Sequence, residues 1–186
     1  MKKIKIFLAS SEELRRERLE IAELIGHMNL ALEHSNIRLY LVKWEYLDAS
    51  MGELHKQEEY NKVLEQCDIC IVLFASRFGK YTATELNTAY HKLIKTGGNV
   101  KQLAVFFKSE KEISNELKEF QKSFNNNYPE IPEYHFNDET KLKVDFLKEW
   151  NKFQQQNLNN DFSVIFAEGE AIFNGERILL PLEVTN

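Results

Sequence analysis

Cysteine, proline and glycine are scarce in this chain: 2, 3 and 7 residues of 186. The two cysteines, Cys67 and Cys70, supply neither a disulfide framework nor the four thiolates of a structural zinc site. No apolar run approaches the roughly 20 residues that span a bilayer. Residues 1–9 are basic then apolar, but charged sequence follows at once and the apolar stretch is too short for a signal-peptide core. There is no surplus of positive charge either. Lys and Arg total 24 against 29 Asp and Glu, a net charge of −5, which argues against a non-specific nucleic-acid binder and leaves room only for a local basic patch. The Walker loop, GxGxxG, GxSxG and HExxH are all missing. The five histidines, at 27, 34, 55, 91 and 135, form no metal-spaced pair, so no metal site is expected. These absences leave a cytoplasmic globular protein, with no membrane or nucleic-acid partner, long enough to bury a core without staples.

Strand and helix patterns alternate along most of the chain. Apolar runs of strand length occur at 4–9, 37–42, 69–74 and 100–107, with a short fifth at 134–136. The run Ile69-Cys70-Ile71-Val72-Leu73-Phe74 is the most apolar and reads as a central parallel strand buried on both faces. Between the runs, helical spacing predicts helices over 11–34 (Leu14, Ile21, Ile25, Met28, Leu32), 56–66, 84–95, 110–125 and 138–157. The alternation implies a flavodoxin-like α/β fold: a parallel sheet of about five strands with helices on both faces. Residues 159–186 differ in kind. Short strands at 162–167, 171–173 and 177–182, with the turn signal Asn174-Gly175, predict a C-terminal β-hairpin appendage to an α/β domain of residues 1–158.

Ligand sites in such sheets lie at the carboxyl ends of the strands. Two loops there carry usable chemistry. Ser10 and Ser11 open the first helix, where free backbone N–H groups attract phosphate and Arg15 and Arg16 add charge. The plain alternative is a capping box from Ser10 to Glu13, with Arg15-Arg16-Glu17-Arg18 as a solvated face. The loop Ser76-Arg77-Phe78-Gly79-Lys80-Tyr81 precedes Glu85. That glutamate is either one half of a capping box with Thr82 or a carboxylate held at the ligand edge. Cys67-x-x-Cys70 has the letters of a redox motif but sits at a strand start, where buried packing is the better reading.

The strand ending Phe7-Leu8-Ala9-Ser10, the loop over 44–53, the strand 69–74 and then Tyr81-x-x-x-Glu85 resemble a divergent bacterial TIR-like domain (the Toll/interleukin-1 receptor type) across roughly residues 3–155. In active TIR domains the catalytic glutamate stands in a Trp-x-x-x-Glu pattern. Here Glu85 matches the glutamate and Tyr81 replaces the tryptophan. The resemblance implies cleavage of the nicotinamide–ribose bond of NAD⁺, a glycohydrolase or cyclase reaction with NAD⁺ as substrate and no cofactor. Glu85 is then the catalytic carboxylate. Ser10 and Ser11 contact ribose or phosphate, Trp44 and Tyr81 wall the nicotinamide, and Arg77 approaches a phosphate. It further implies activation by self-association through the loop 46–53, a role in antiphage defence, and a sensor or second messenger acting in trans.

Two other readings compete. A nucleoside or nucleotide N-glycosidase, of deoxyribosyltransferase type, uses a glutamate at the same edge but needs a proton donor for its neutral base; Asp48 or Tyr81 is the candidate. A non-catalytic interaction module uses Glu85 only as a helix cap.

Overall fold

The computed structural model describes residues 1–43, 62–94, 99–158, 164–167, 170–173 and 176–177. Five strands, β1 (Lys2–Ser10), β2 (Ile37–Lys43), β3 (Ile69–Phe74), β4 (Gln102–Lys108) and β5 (Glu133–Phe136), form one sheet in the order β2-β1-β3-β4-β5. Every neighbouring pair is parallel. This is the doubly wound order of the flavodoxin-like fold, with its topological switch between β1 and β3.

Strand alternation assigns the two faces. Ile4, Ile6 and Leu8 of β1, with Ile69, Ile71 and Leu73 of β3, enter one core beneath α1 (Arg15–Ala31) and α4 (Glu139–Asn157). Phe7 and Ala9, with Cys70, Val72 and Phe74, enter the other beneath α2 (Lys80–Ile94) and α3 (Asn115–Asn127). All six residues of β3 are buried, as its continuous apolar run requires. Both cysteines are free and buried, and burial pushes the Cys67 thiol up to about 12. A thiol so held is not a redox nucleophile.

Helix starts depart from the periodicity reading where local polar groups intervene. The helix expected over 11–34 is three pieces: a 3-10 turn at Glu12–Leu14, α1, and a second 3-10 turn at Glu33–Ser35 that ends on Asn36 at φ 56°. Left-handed backbone of this kind is tolerated best by Gly and Asn. Helix α3 starts later than expected, because the Ser114 hydroxyl caps it by accepting the Leu117 N–H at 3.2 Å. Asp138 caps α4 in the same way at 2.8 Å. Of the helix expected over 56–66, residues 62–64 are helical, and 56–61 lie outside the described residues.

In the C-terminal region β6 (Val164–Ala167), β7 (Glu170–Phe173) and β8 (Glu176–Arg177) pair antiparallel as a separate sheet. The pair Phe173↔Glu176 flanks Asn174-Gly175, which lies outside the described residues. Among the described residues, no helix is long and apolar enough to cross a membrane.

Candidate functional site

The loops after β1 and β3 meet at the switch point. Ser10 pairs with Leu73 across the sheet, and a methyl group placed on Gly79 would lie 4.0 Å from Ser11 Cβ and 3.0 Å from Thr82 Oγ1. That crowding explains a glycine at 79. Phe78 anchors the second loop, stacking on Phe74 at 5.9 Å and tilting against Phe120 at 4.9 Å between ring centres.

Glu13 ties the two loops together. Its carboxylate accepts from the Ser11 hydroxyl at 3.1 Å and from the Ser76 N–H at 3.2 Å, as well as from the Ser76 hydroxyl. Partial burial opposes ionisation, but these bonds and one from the Arg77 backbone outweigh it and hold Glu13 below the usual carboxylate range. The capping box expected between Ser10 and Glu13 does not form. Ser11 precedes the 3-10 turn without a side-chain cap, and Glu13 turns across to the neighbouring loop instead. The anion held by these amides is therefore one of the protein's own side chains.

The charged run 15–18 is solvated in its first half only. Arg15 and Arg16 are exposed, and Arg16 pairs with Glu139 at 2.8 Å. Glu17 and Arg18 are buried at 3% and 1% exposure. Glu17 pairs with Lys108 at the end of β4, at 3.0 Å. Arg18 reaches back to β1: its Nη1 donates to Ser10 Oγ at 3.0 Å and to the Ser11 carbonyl at 2.7 Å. Sequence reasoning missed Arg18, although the signal was there. It stands four residues after Leu14 and three before Ile21, on the apolar stripe, where an arginine must have partners. Arg18→Ala should lower stability by roughly 2–4 kcal/mol, since it strands buried acceptors and opens a cavity. Chemical denaturation measures this directly.

Glu85 lies in the second turn of α2. The first intrahelical bond runs from the Ala83 N–H to the Gly79 carbonyl at 2.9 Å, so Gly79 is the N-cap residue and Thr82 is already inside the helix. A Thr82–Glu85 capping box is therefore ruled out, and the helix expected from 84 begins at Lys80. Glu85 is 5% exposed, and its carboxylate has no hydrogen-bond partner among the described residues. Burial alone raises its pKa from 4.5 to about 8. Its position is marked by Cys70 on β3, whose thiol is pushed up first by burial and then by the Glu85 charge.

Ser10, Ser11 and Arg77 thus belong to the carboxyl end of the sheet, and Tyr81 and Glu85 to the helix that leaves it. Ser10 is buried with its hydroxyl accepting from Arg18. The Ser11 hydroxyl is engaged by Glu13. Arg77 is exposed, and so is Tyr81, at 52%. Tyr81 stands one helical turn before Glu85. Trp44, Asp48 and the loop 46–53 lie outside the described residues.

Fold and site together define a flavodoxin-like α/β protein with a buried carboxyl in the second turn of α2, without a hydrogen-bond partner among the described residues. Residues 5–160 match the DUF4062 model, described as a domain of unknown function, and the chain belongs to that family. No curated protein matches it. Among solved structures it is similar to oxidised flavodoxin 1 from Bacillus cereus, at 11% identity and a TM-score of 0.42, over 83% of this chain and 98% of that one. It is also similar to a flavodoxin of Streptococcus pneumonia TIGR4, at 13% identity and a TM-score of 0.39, over 81% and 98%.

Proposed function

We propose that this chain is a TIR-type NAD⁺ glycohydrolase, with cyclisation as a variant outcome, and that Glu85 is its catalytic carboxylate. One observation carries the reading: Glu85, on the helix that follows the loop after β3, is 5% exposed with no hydrogen bond to hold it among the described residues. A buried carboxyl with no bonds destabilises a fold, and perturbed groups of this kind concentrate at functional sites.

The chemistry suits an acid of this character. When the C1′–N bond breaks, its electron pair goes to the pyridinium nitrogen, so nicotinamide leaves neutral and needs no proton. Positive charge develops on the ribose, and a carboxylate beside it in a low-dielectric site stabilises that charge. With a pKa of about 8, only about a tenth of Glu85 is ionised at pH 7 in the free protein. Arrival of the cationic nicotinamide ribose favours the ionised form, so the charge is strongest where substrate sits. Water then adds to the ribosyl cation and loses a proton, giving ADP-ribose; attack by the adenine ring gives a cyclic product. Tyr81 and Trp44 would border the nicotinamide, Ser10 and Ser11 the ribose, and Arg77 a phosphate.

On this reading the protein is cytoplasmic, assembles with copies of itself when triggered in trans, and serves as a bacterial antiphage effector. Residues 1–158 form the catalytic domain and 159–186 an extension. A second reading draws on the same pKa. A Glu85 still protonated at pH 7 can donate to a neutral nucleobase, as a nucleoside or nucleotide N-glycosidase requires.

The test is nicotinamide release by wild type and Glu85→Gln over a wide protein concentration range, with nucleosides and their monophosphates as competing substrates. Wild type should release nicotinamide, more steeply as concentration rises, and the variant should lose about 100-fold or more. Base release from nucleosides alone would select the second reading. No turnover by either protein, even when assembled, would leave an interaction module.

A further inference from the structure

The inner face of α1 is accounted for by the core, where Ile21, Leu24, Ile25 and Met28 are buried. Its outer face is not. Leu19 and Leu30 stand there about three helical turns apart, 56% and 67% exposed. No other leucine or phenylalanine among the described residues is exposed. Between them lies Gly26, in mid-helix and also exposed. Glycine weakens a helix relative to alanine, and nothing within the fold asks for it here. A methyl group placed on Gly26 would meet no atom of the described residues within 4 Å. The use left for a missing side chain is close approach from outside.

The charges on this face have a direction. Arg15 opens the helix and Glu33 follows its end, with Glu23 and His27 between them, all four exposed. When a second copy of α1 is turned end for end about an axis between residues 24 and 25, the face matches itself. Leu19 falls opposite the partner's Leu30, and Gly26 opposite the partner's Glu23. Arg15 meets the partner's Glu33, and Glu23 the partner's His27. Each pair occurs twice, as a two-fold contact demands. The positive end of each helix dipole also meets the negative end of the other. A parallel copy would instead set Arg15 on Arg15 and Glu33 on Glu33. A face shaped for an unrelated protein has no need of this internal symmetry.

We propose that two copies of this chain pair antiparallel through the outer face of α1. One helix face is a small contact, of the weak and reversible class. It is distinct from the loop 46–53, and it stands whether or not Glu85 acts on NAD⁺.

Sedimentation equilibrium of the full chain, from about 5 µM to about 1 mM, tests this. The expected result is a monomer–dimer equilibrium with a Kd of roughly 10–500 µM. Gly26→Gln favours the helix but puts a side chain into the contact, so it should fold at least as well as wild type and pair about tenfold more weakly. Arg15→Glu and Glu33→Arg should each weaken pairing about fivefold, since each turns two attractions into repulsions, and together they should restore it. Both reversals suit the helix dipole, so neither should impair folding. A chain that stays monomeric to about 1 mM overturns the proposal. So does a dimer that Gly26→Gln leaves intact, or a double reversal that pairs no better than either single one.

Discussion

Glu85→Gln should make the protein more stable. In the unfolded chain this glutamate ionises near its ordinary 4.5, whereas burial holds it protonated to about 8 in the fold. Its acid form is favoured by folding, so its contribution is fully present below pH 4.5 and is lost as pH rises towards 8. At pH 7 the ionisation forgone costs about 3 kcal/mol, and above pH 8 about 5 kcal/mol. Gln is neutral throughout and nearly isosteric, so it removes this cost without leaving a void. The variant should therefore melt roughly 5–10 °C higher at pH 7. It should match wild type near pH 4.5, and the stability difference should widen with pH. Denaturant unfolding from pH 4.5 to 8.5 measures that divergence. A variant less stable than wild type, or one with the same pH slope, would mean that contacts to the carboxylate support the fold, as the interaction-module reading holds. A gain in stability coupled to loss of activity is the trade-off expected of a functional group held against its own solvation.

Much of this fold is legible in the sequence because its signals are redundant. The run 69–74 is long, apolar and β-branched, and as β3 it is buried along its whole length. The alternation of runs and helices fixes the parallel sheet, since right-handed crossovers leave few other arrangements. The site is legible only in part. Chain order alone places Ser10 at the carboxyl edge and Glu85 on the helix that leaves it, but the roles of their neighbours depend on contacts between distant segments. Glu13 has the spacing of a cap and acts instead as a bridge to Ser76, sixty-three positions away. No local pattern encodes such a partner. Thr82 and Glu85 have the spacing of a capping box, but Gly79 begins the helix four residues before the start that periodicity predicts. Arg18 is the opposite case. Its place on the apolar stripe of α1 is encoded locally, but it stands in a run of charged residues whose first two are exposed.

The pH dependence of catalysis should follow the same carboxyl. If the ionised form stabilises the ribosyl cation, kcat/KM for NAD⁺ reports the free protein and rises about tenfold per pH unit until it levels near pH 8. An acid role gives the reverse: a flat profile below 8 and a tenfold fall per unit above it. The two chemistries assigned to one glutamate thus differ in sign.

Nicotinamide release from NAD⁺ by the wild-type protein, measured as kcat/KM from pH 6 to 9.5 with Glu85→Gln beside it, is the most direct test. The expected result is a rise to a plateau with an apparent pKa near 8, and for the variant a rate at least about 100-fold lower at the plateau and without that titration. A profile flat across the range, or the same titration in Glu85→Gln, would contradict Glu85 as the catalytic carboxylate.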